Sequence, residues 1–594
     1  MRFAITACSL LLTVLISADP VWAQAPKLRA AHIEIKGSYP EGATAEGLFG
    51  SVTESLATGT GRLDAAANDV RVNAVILRLK NPTIGWAKLN EIRQSVQRVQ
   101  SKGKKVYAWL DSATTMDFLI ASSCDQVVMP ESGVLMMTGM RAEVSFYKNL
   151  FDKLDVKAEM LRVGEFKSAA EPYTRTEMSP AFRLEMEELL DDHYNRLVET
   201  VAADRKLTKK QVIAAIDNGP HTAEAAHKLG LIDKIAYEDQ LVGIVKGENK
   251  TTKLTITRGY AKKKIDTDFS GIGGMMKLMT MMMGGNTNSG IADPRPKVAV
   301  IYATGTIMTG SSKTDMLSGN VLGGDTIIKA VRKANADDTV KAIVLRVDSP
   351  GGSALASDLM WRALEKVEKP FVVSMGDVAA SGGYYIAMGS DRIFAEPGTL
   401  TGSIGVVGGK FGLNGLFKKA GITTTVISRG KNSGVMSTLD GFSDSERAAM
   451  TKMLYAVYDQ FTQKAAKGRN MKHADLEKLA RGRVYTGSMA LKVGLVDQLG
   501  TLDDAVKHAA KLAGMDPNGK IQRMVLPPAT NPFESLLGPL GASAKVREAN
   551  AAALIDSVRA ISPEAAQHLK AASMMQLLSH EPRLTLMPFR LTVK

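Results

Sequence analysis

The chain has 594 residues, a length that predicts several domains, and 45% of them are apolar, as in globular proteins that bury sizeable cores. This composition excludes a largely disordered chain. The formal net charge of +14 suits anionic lipid headgroups or nucleic acid, although basic residues interspersed with acidic ones usually form just a solvated surface. Because the start of the chain indicates export, we expect lipid, and no nucleic acid, as an anionic partner.

The start of the chain is typical of an export signal. Arg2 precedes an uncharged apolar run over residues 3–18, and Ala23-Gln24-Ala25 resembles a cleavage site with small residues. The run is short for a membrane span, while Pro26 disfavours cleavage after Ala25. Cleavage and retention as a membrane anchor therefore both stay open.

Cysteine usage argues against disulfides and zinc sites. Cys8 lies in the expected signal, so cleavage would leave Cys124 as the one thiol and no internal disulfide. Residues 5–8 faintly resemble a lipid-attachment box, but too little apolar sequence precedes them. No Cys or His cluster in the sequence has the spacing of a zinc site.

Short β-branched runs alternate with longer helical patterns along both halves of the chain. This alternation predicts βαβ units with mainly parallel sheets, an α/β fold class. Residues 180–201 and 443–466 form long helical patterns, on which halves or subunits could pack. The other elements that we predict lie in the second half: strands at 298–302, 342–347, 371–374 and 392–395, and helices near 324–334 and 353–368.

The second half of the chain repeats the first. Residues 72–82 (VNAVILRLKNP) align with residues 340–350 (VKAIVLRVDSP), a displacement of 268. Residues 111–118 (DSATTMDF) align with residues 377–384 (DVAASGGY), a displacement of 266. Two tandem copies of roughly 210 residues therefore account for most of the chain.

The repeat divides the chain into five parts. We predict an export signal or anchor at 1–25, a first repeat at 28–265, a connector at 266–295, a second repeat at 296–510 and a tail at 511–594. The connector is rich in glycine and carries a methionine cluster at 275–283. Those methionines either fill gaps in a core or form an adaptable surface for hydrophobic peptides or the membrane. The tail shows no recognisable chemistry.

Each copy keeps a reactive residue that the other copy lacks. Ser381 aligns with Thr115, and Lys167 aligns with Ser433, both at a displacement of 266. A serine beside glycines is usually structural, and most lysines are solvated partners of acids. The complementary losses instead favour one composite site, in which Ser381 is the nucleophile and Lys167 is its base.

The residues around Ser381 favour acyl transfer. Ser381 follows a strand pattern and precedes an apolar segment, so we expect it at a strand-to-helix turn, where main-chain amides favour a developing anion. Another strand pattern ends at Gly351 and Gly352, whose amides, or that of Gly382, could donate to the oxyanion of a tetrahedral intermediate. A plain Pro-Gly turn at Pro350 is the alternative interpretation.

A neutral lysine suits the role of base. None of the eight histidines lies in a repeated motif. Burial can lower a lysine pKa by roughly 3 to 5 units, and Phe166 and Ala169 beside Lys167 are compatible with burial. His193, in a predicted helix, and Lys431 stay open as rival bases.

Four motifs together resemble the signal peptide peptidase A family in its long two-copy bacterial form. They are residues 164–172 (GEFKSAAEP), 348–352 (DSPGG), 376–384 (GDVAASGGY) and 400–405 (LTGSIG). The resemblance extends from about residue 28 to about residue 510 and implies tandem duplicated domains similar to Clp protease and crotonase. It also implies that Ser381 is the nucleophile, that Lys167 is the general base and that Ser403 hydrogen-bonds the lysine.

The same resemblance implies a function and a location. The family cuts leftover signal peptides at the outer face of the cytoplasmic membrane, forms ring-like oligomers and needs no metal or cofactor. We therefore expect hydrophobic peptide substrates and a homo-oligomer, a tetramer. The expected location is the bacterial inner membrane, with the catalytic part facing the periplasm, or the periplasm itself if the signal is cleaved.

Two other functions stay open. A crotonase-type acyl-CoA enzyme would share the fold and use glycine amides against a thioester enolate. Export argues against that function because CoA is cytosolic, and no pair of acids occupies the motifs. A membrane scaffold could have kept the fold and lost catalysis, and peptidase activity that depends on Ser381 would exclude it.

Overall fold

A computed structural model describes residues 28–43, 54–247, 252–262, 294–315, 319–528 and 583–586. The expected export signal and nearly all of the expected connector lie outside these ranges, as does most of the expected tail. Among the described residues, none of the helices is both long enough and apolar enough to cross a membrane.

The strands in these ranges are, in chain order, β1 (Leu28–Lys36), β2 (Ala74–Lys80), β3 (Lys105–Leu110), β4 (Ala113–Thr114), β5 (Gln126–Met129), β6 (Val134–Met136), β7 (Lys157–Val163), β8 (His221–Thr222), β9 (Lys234–Ile235), β10 (Leu254–Arg258), β11 (Lys297–Thr304), β12 (Thr306–Met308), β13 (Lys313–Asp315), β14 (Gly319–Gly323), β15 (Val340–Ser349), β16 (Gly351–Ser353), β17 (Phe371–Ala380), β18 (Arg392–Ala395), β19 (Leu400–Gly402), β20 (Val406–Gly412), β21 (Val484–Thr486), β22 (Gln498–Leu499), β23 (Gln522–Leu526) and β24 (Arg583–Leu586).

The helices are Leu56–Asn68, Trp86–Ser101, Thr115–Ala121, Lys148–Leu154, Glu171–Thr174, Pro180–Arg205, Lys209–Asp217, Ala223–Lys228, Glu238–Lys246, Gly324–Ala336, Ala354–Leu364, Gly382–Ala387, Asn414–Lys419, Asp444–Gly468, His473–Leu479, Gly487–Lys492 and Leu502–Leu512, with a 3-10 helix at Ser168–Ala170. The α/β class is therefore confirmed. The two long helical patterns correspond to Pro180–Arg205 and Asp444–Gly468.

Each copy is built on a parallel sheet with the same strand order. In the first copy the order is β10-β1-β2-β3-β5-β9, and all neighbours are parallel. In the second copy the parallel order is β23-β11-β15-β17-β18-β22, and β19 and β21 extend the sheet from β17. Strands covered on both faces read as continuous apolar runs, as β2 and β15 do. Aligned sequences thus occupy equivalent strands.

The second sheet continues past residue 510, where we expected the repeat to end. β23 pairs with β11 just as β10 pairs with β1 in the first copy. The residues of β23 alternate in exposure at the edge of the sheet, so they lack the continuous apolar run of a central strand. That pattern is too weak to reveal the strand in the sequence.

A third sheet joins the two copies beside the motifs. Its order is β13-β14-β12-β16-β24-β20-β7. β7 belongs to the first copy and pairs antiparallel with β20 of the second, with Val163 opposite Val406. β7 ends four residues before Lys167, and β20 begins three residues after Ser403. This ladder therefore brings the lysine motif of one copy to the serine motifs of the other.

A helix cap also crosses between the copies. The helix Trp86–Ser101 begins after Gly85, which has no side chain with which to cap it. Asp377 of the second copy replaces that cap, because its Oδ1 accepts the N–H groups of Ala87 at 2.9 Å and Lys88 at 3.2 Å. Lys88 Nζ lies 3.2 Å from Asp377 and 3.2 Å from Asp348. The clamp formed by Lys88, Asp348 and Asp377 ties the first copy to two motifs of the second.

Candidate active site

Ser381 lies at a strand-to-helix turn, as we predicted from the sequence. β17 ends at Ala380, and the next helix begins at Gly382. The Ser381 backbone has φ 56° and ψ −112°, a conformation that L side chains rarely adopt. Its N–H donates to Gly402 O at 2.7 Å, which holds the turn in place. Such strain, of order 1–3 kcal/mol, persists where the surrounding structure enforces it, as at many active sites.

Lys167 is held against the second copy by close backbone contacts. Phe166 N–H donates to Arg481 O at 2.9 Å. Gly482 packs against the lysine backbone so closely that a Cβ there would come within 2.5 Å of Lys167 N. Gly482 also has φ 85°, so a side chain at this position is disfavoured twice. The segment Arg481–Arg483 therefore fixes the position from which the lysine side chain starts.

The lysine and serine of the two copies meet in the interior. Lys167 Nζ lies 2.7 Å from Ser381 Oγ, and both residues are 0% exposed. The same nitrogen lies 2.9 Å from Ser403 O and 2.9 Å from Ser403 Oγ. The structure thus brings together the three side chains that the sequence analysis selected.

Burial controls the charge of this cluster. It lowers the pKa of Lys167 well below its usual value, while the negative charge that Glu185 can carry opposes that change. Burial also raises the pKa of Glu185 to about 8. Glu185 Oε1 accepts the Val484 N–H at 2.7 Å, and Oε2 is buried with no hydrogen-bond partner among the described residues. Burial therefore shifts both groups toward their uncharged forms.

Ser403 is fixed by the same segment that supports Lys167. Its N–H donates to Arg483 O at 2.6 Å, and it has φ 51°. β19, which ends at Gly402, pairs antiparallel with β21, which starts at Val484. We did not predict Glu185, Gly482 or Arg483 from the sequence. The sequence signal for Glu185 is its spacing: this acid lies four residues before Leu189 and therefore on the same buried face of a long helix.

The three glycines considered for the oxyanion differ in their surroundings. The Gly351 N–H donates to Ser349 Oγ at 3.2 Å, so it is engaged within the chain. Gly352 lies in β16, where a Cβ would come within 2.0 Å of Ile307 O. Gly382 is the first residue of its helix, where an N–H has no partner within the helix. Of the three, the Gly382 amide adjoins the serine directly.

The rival bases lie elsewhere. The His193 ring is buried and stacks on Trp86 with centroids 5.1 Å apart. Neither of its ring nitrogens has a hydrogen-bond partner among the described residues, and burial lowers the pKa of His193 to about 4. Lys431 is exposed. In the structure, Lys167 is the residue that forms a hydrogen bond with Ser381 Oγ.

The aligned position of the first copy lacks this chemistry. Thr115 is the first residue of a helix, and its hydroxyl donates to Met136 O at 3.3 Å. Met137 occupies the position aligned with Ser403, and the exposed Ser433 occupies the position aligned with Lys167. Among the described residues, there is no group of three or more His, Cys, Asp or Glu that could hold a metal ion.

Comparison with known proteins identifies the family of the chain. Peptidase family S49 matches the chain twice, over residues 98–252 and over residues 363–516, which together exceed half its length. Serine protease SPPA, chloroplastic, from Arabidopsis thaliana is 31% identical over 484 residues, 80% of this chain and 68% of that protein.

Two bacterial proteins show the same similarity. Protease 4 from Salmonella typhi is 31% identical over 490 residues, 80% of this chain and 75% of that protein. Protease 4 from Haemophilus influenzae is 29% identical over 491 residues, 80% of this chain and 76% of that protein. Because the family matches in both copies and these proteases align over most of the chain, the chain belongs to peptidase family S49 and is a serine peptidase of the long two-copy form.

Proposed function

We propose that the chain is a serine endopeptidase in which Ser381 attacks the peptide and Lys167 is the general base. Its substrates are hydrophobic peptides, chiefly the remnants of cleaved signal peptides. The observation that carries the proposal is the buried contact of 2.7 Å between Lys167 Nζ and Ser381 Oγ, to which each copy contributes one atom. A solvated lysine would be protonated and unable to act as a base.

The hydrogen-bonding capacity of a neutral amine fits this site. A neutral Nζ has two N–H groups and one lone pair. Ser403 offers two acceptors at 2.9 Å, its carbonyl oxygen and its hydroxyl oxygen. If both N–H groups donate to Ser403, the lone pair is left to accept the Ser381 O–H. Ser403 therefore orients the base toward the nucleophile.

The reaction has two stages. Lys167 Nζ accepts the hydroxyl proton as Ser381 Oγ bonds to the substrate carbonyl carbon, and the Gly382 N–H donates to the resulting oxyanion. Nζ then returns the proton to the leaving amine nitrogen as the peptide C–N bond breaks. Water attacks the acyl-enzyme in the same way: Nζ accepts a water proton and returns it to Ser381 Oγ.

The proposed fold and location follow the resemblance of the motifs. We assign each copy to the Clp protease and crotonase superfamily, since both copies are built on parallel sheets with the same strand order. We place the protein at the cytoplasmic membrane, with the site facing the periplasm. A CoA-dependent function gains no support from a centre built around a buried serine and a buried lysine.

We also propose a homo-oligomer, a head-to-tail ring of four chains. Within one chain, Glu91 of the helix Trp86–Ser101 accepts the Leu502 N–H at 2.9 Å and lies 3.3 Å from Arg346. The position equivalent to Arg346 in the first copy is Arg78, which lines an open cavity of about 780 Å³. The position equivalent to Glu91 in the second copy is Leu359, on the surface.

The internal interface can therefore recur between chains. Leu355 and Leu359, one turn apart on the helix Ala354–Leu364, are each 48% exposed. In the oligomer, the two leucines of one chain would enter the cavity beside Arg78 of the next chain. This contact would be equivalent to the one between Glu91 and Arg346 within a single chain. A head-to-tail contact rotates each chain relative to the one before it. The chains form a closed ring when a whole number of these rotations adds up to a full turn.

Charge substitutions at Leu359 test the ring. We expect Leu359→Lys to dissociate the oligomer, because the new cation would face Arg78. Leu359→Glu should preserve assembly, since it recreates the charge of Glu91 at the equivalent contact. Light scattering measures both masses, and Leu512→Lys is the control for an exposed leucine elsewhere. Equal masses for the two Leu359 variants would contradict this interface.

An activity-based label tests the proposed chemistry. A fluorophosphonate should react with Ser381 in the wild-type protein, because a neutral lysine beside a serine activates its hydroxyl. The adduct should be absent from Lys167→Met and present in Lys431→Met, whose lysine is exposed. Intact mass and peptide mapping locate the adduct. An adduct on another serine, or one that forms without Lys167, would refute the proposed dyad.

A further inference from the structure

A short strand from the end of the chain lies between the motifs of the site. β24 comprises Arg583, Leu584, Thr585 and Leu586. On one side it pairs antiparallel with β16, with Leu586 opposite Gly351 and Leu584 opposite Ser353. On the other side it pairs antiparallel with β20, with Leu584 opposite Val407. β24 is thus the element that connects the two parts of the third sheet.

These two neighbours define a slot for an extended chain. Without β24, the sheet would separate into β13-β14-β12-β16 and β20-β7, with two sheet edges facing each other. β16 contains the glycines that follow Pro350, and β20 follows Ser403. Cα atoms of the helix that follows Ser381 come within 8 Å of those of β24. Exposed edges of this kind bind extended peptides through main-chain hydrogen bonds.

The slot has an apolar pocket, which Leu584 fills. Leu584 is 0% exposed and packs in a cluster with Ala169, Ala170, Val407 and Phe411. The two alanines lie two and three residues after Lys167 and leave room that larger side chains would occupy. Because alternate side chains of a bound strand enter pockets, this pocket is suited to select one side chain of a peptide.

We propose that residues 583–586 occupy the peptide-binding slot of the site as an internal competitive inhibitor. Building on the proposed function, this inference identifies the substrates as extended peptides that place a leucine-sized apolar side chain in the pocket of Ala169 and Ala170. β24 excludes these peptides from the slot until it leaves the slot. Four residues paired over so short a length bind weakly on their own, but covalent attachment to the chain raises their effective concentration to about the millimolar range.

The test removes the apolar anchor in the full-length protein. We expect Leu584→Asp to lower KM for an unfolded apolar peptide about ten-fold and to leave kcat unchanged, because a carboxylate is costly in an apolar pocket. A synthetic peptide spanning residues 580–589 should then inhibit this variant competitively. The same peptide with Asp at position 584 should not inhibit it. Leu229→Asp, an exposed leucine in the first copy, should behave as wild type.

A second measurement does not depend on that variant folding. In the full-length Ser381→Ala protein, hydrogen exchange at the amides of residues 583–586 should accelerate when a saturating apolar peptide is added. A bound peptide that leaves this exchange unchanged would overturn the inference. So would wild-type KM in a folded Leu584→Asp protein that the 580–589 peptide fails to inhibit.

The outcomes separate this inference from the proposed function. If Ser381→Ala abolishes hydrolysis while Leu584→Asp matches wild type, the serine peptidase stands and the tail is only a structural strand. If Ser381→Ala keeps full activity, the proposed function fails whatever the tail does.

Discussion

Replacing Lys167 with methionine should abolish peptide hydrolysis and, at neutral pH, make the folded protein more stable. Methionine keeps the length and apolar character of the side chain but cannot accept a proton. A positioned general base contributes about 10²–10⁴-fold to catalysis, so we expect kcat to fall by at least that factor. Stopped assays with an apolar peptide measure the loss.

The stability change follows from proton linkage. Burial places the pKa of Lys167 in the folded state well below its usual value near 10.5. Between those two pKa values the unfolded chain binds the proton and the folded chain does not. Wild-type stability therefore falls as the pH drops from about 10.5, by about 1.4 kcal/mol per unit, until the folded-state pKa is reached.

Methionine has no such penalty, so the stability gain of Lys167→Met over wild type should grow as the pH falls through that window. Below the window the gain should stay constant. Urea unfolding at several pH values measures the difference. Lys431→Met is the matched control, because an exposed lysine has no burial penalty to lose. A Lys167→Met protein less stable than wild type at pH 7 would mean that the amine is charged and paired in the folded state.

Replacing Ser381 with alanine should remove covalent catalysis with little change in KM. In serine peptidases, loss of a catalytic residue leaves only the contribution of the oxyanion amides and of binding. We therefore expect kcat to fall by roughly 10³-fold or more. Ser433→Ala, an exposed serine at the position aligned with Lys167, should keep full activity and is the control. Hydrolysis by Ser381→Ala at the wild-type rate would eliminate Ser381 as nucleophile.

Glycine at the same position separates strain from chemistry. Ser381→Gly should be as inactive as the alanine variant, but more stable than it by about 1 kcal/mol, because glycine adopts a φ of 56° without steric cost. Thermal unfolding of the two variants measures this difference. Equal stability would mean that the turn is not strained.

The sequence was informative where residues were lost in a complementary way. Ser381 opposite Thr115, and Lys167 opposite Ser433, pointed to one centre because each copy retained what the other lacked. The turn at Ser381 followed from a strand pattern before it and an apolar segment after it. These signals are local, or are repeated within the chain.

The features that the sequence did not reveal depend on packing between distant segments. Glu185 is significant because it is buried against Val484, about 300 residues away. The cap that Asp377 provides for Ala87 spans 290 residues and has no local pattern. β24 is four residues long, too short for periodicity to distinguish it from a loop.

The proposed dyad is divided between the two copies, and this division determines when the protein could first cut a peptide. As the chain leaves the ribosome, the first copy carries a base without a nucleophile, and the second carries a nucleophile without a base. The helix that starts at Trp86 lacks its cap until Asp377 has been synthesised. With the proposed dyad, peptide hydrolysis therefore starts only after both halves exist and dock.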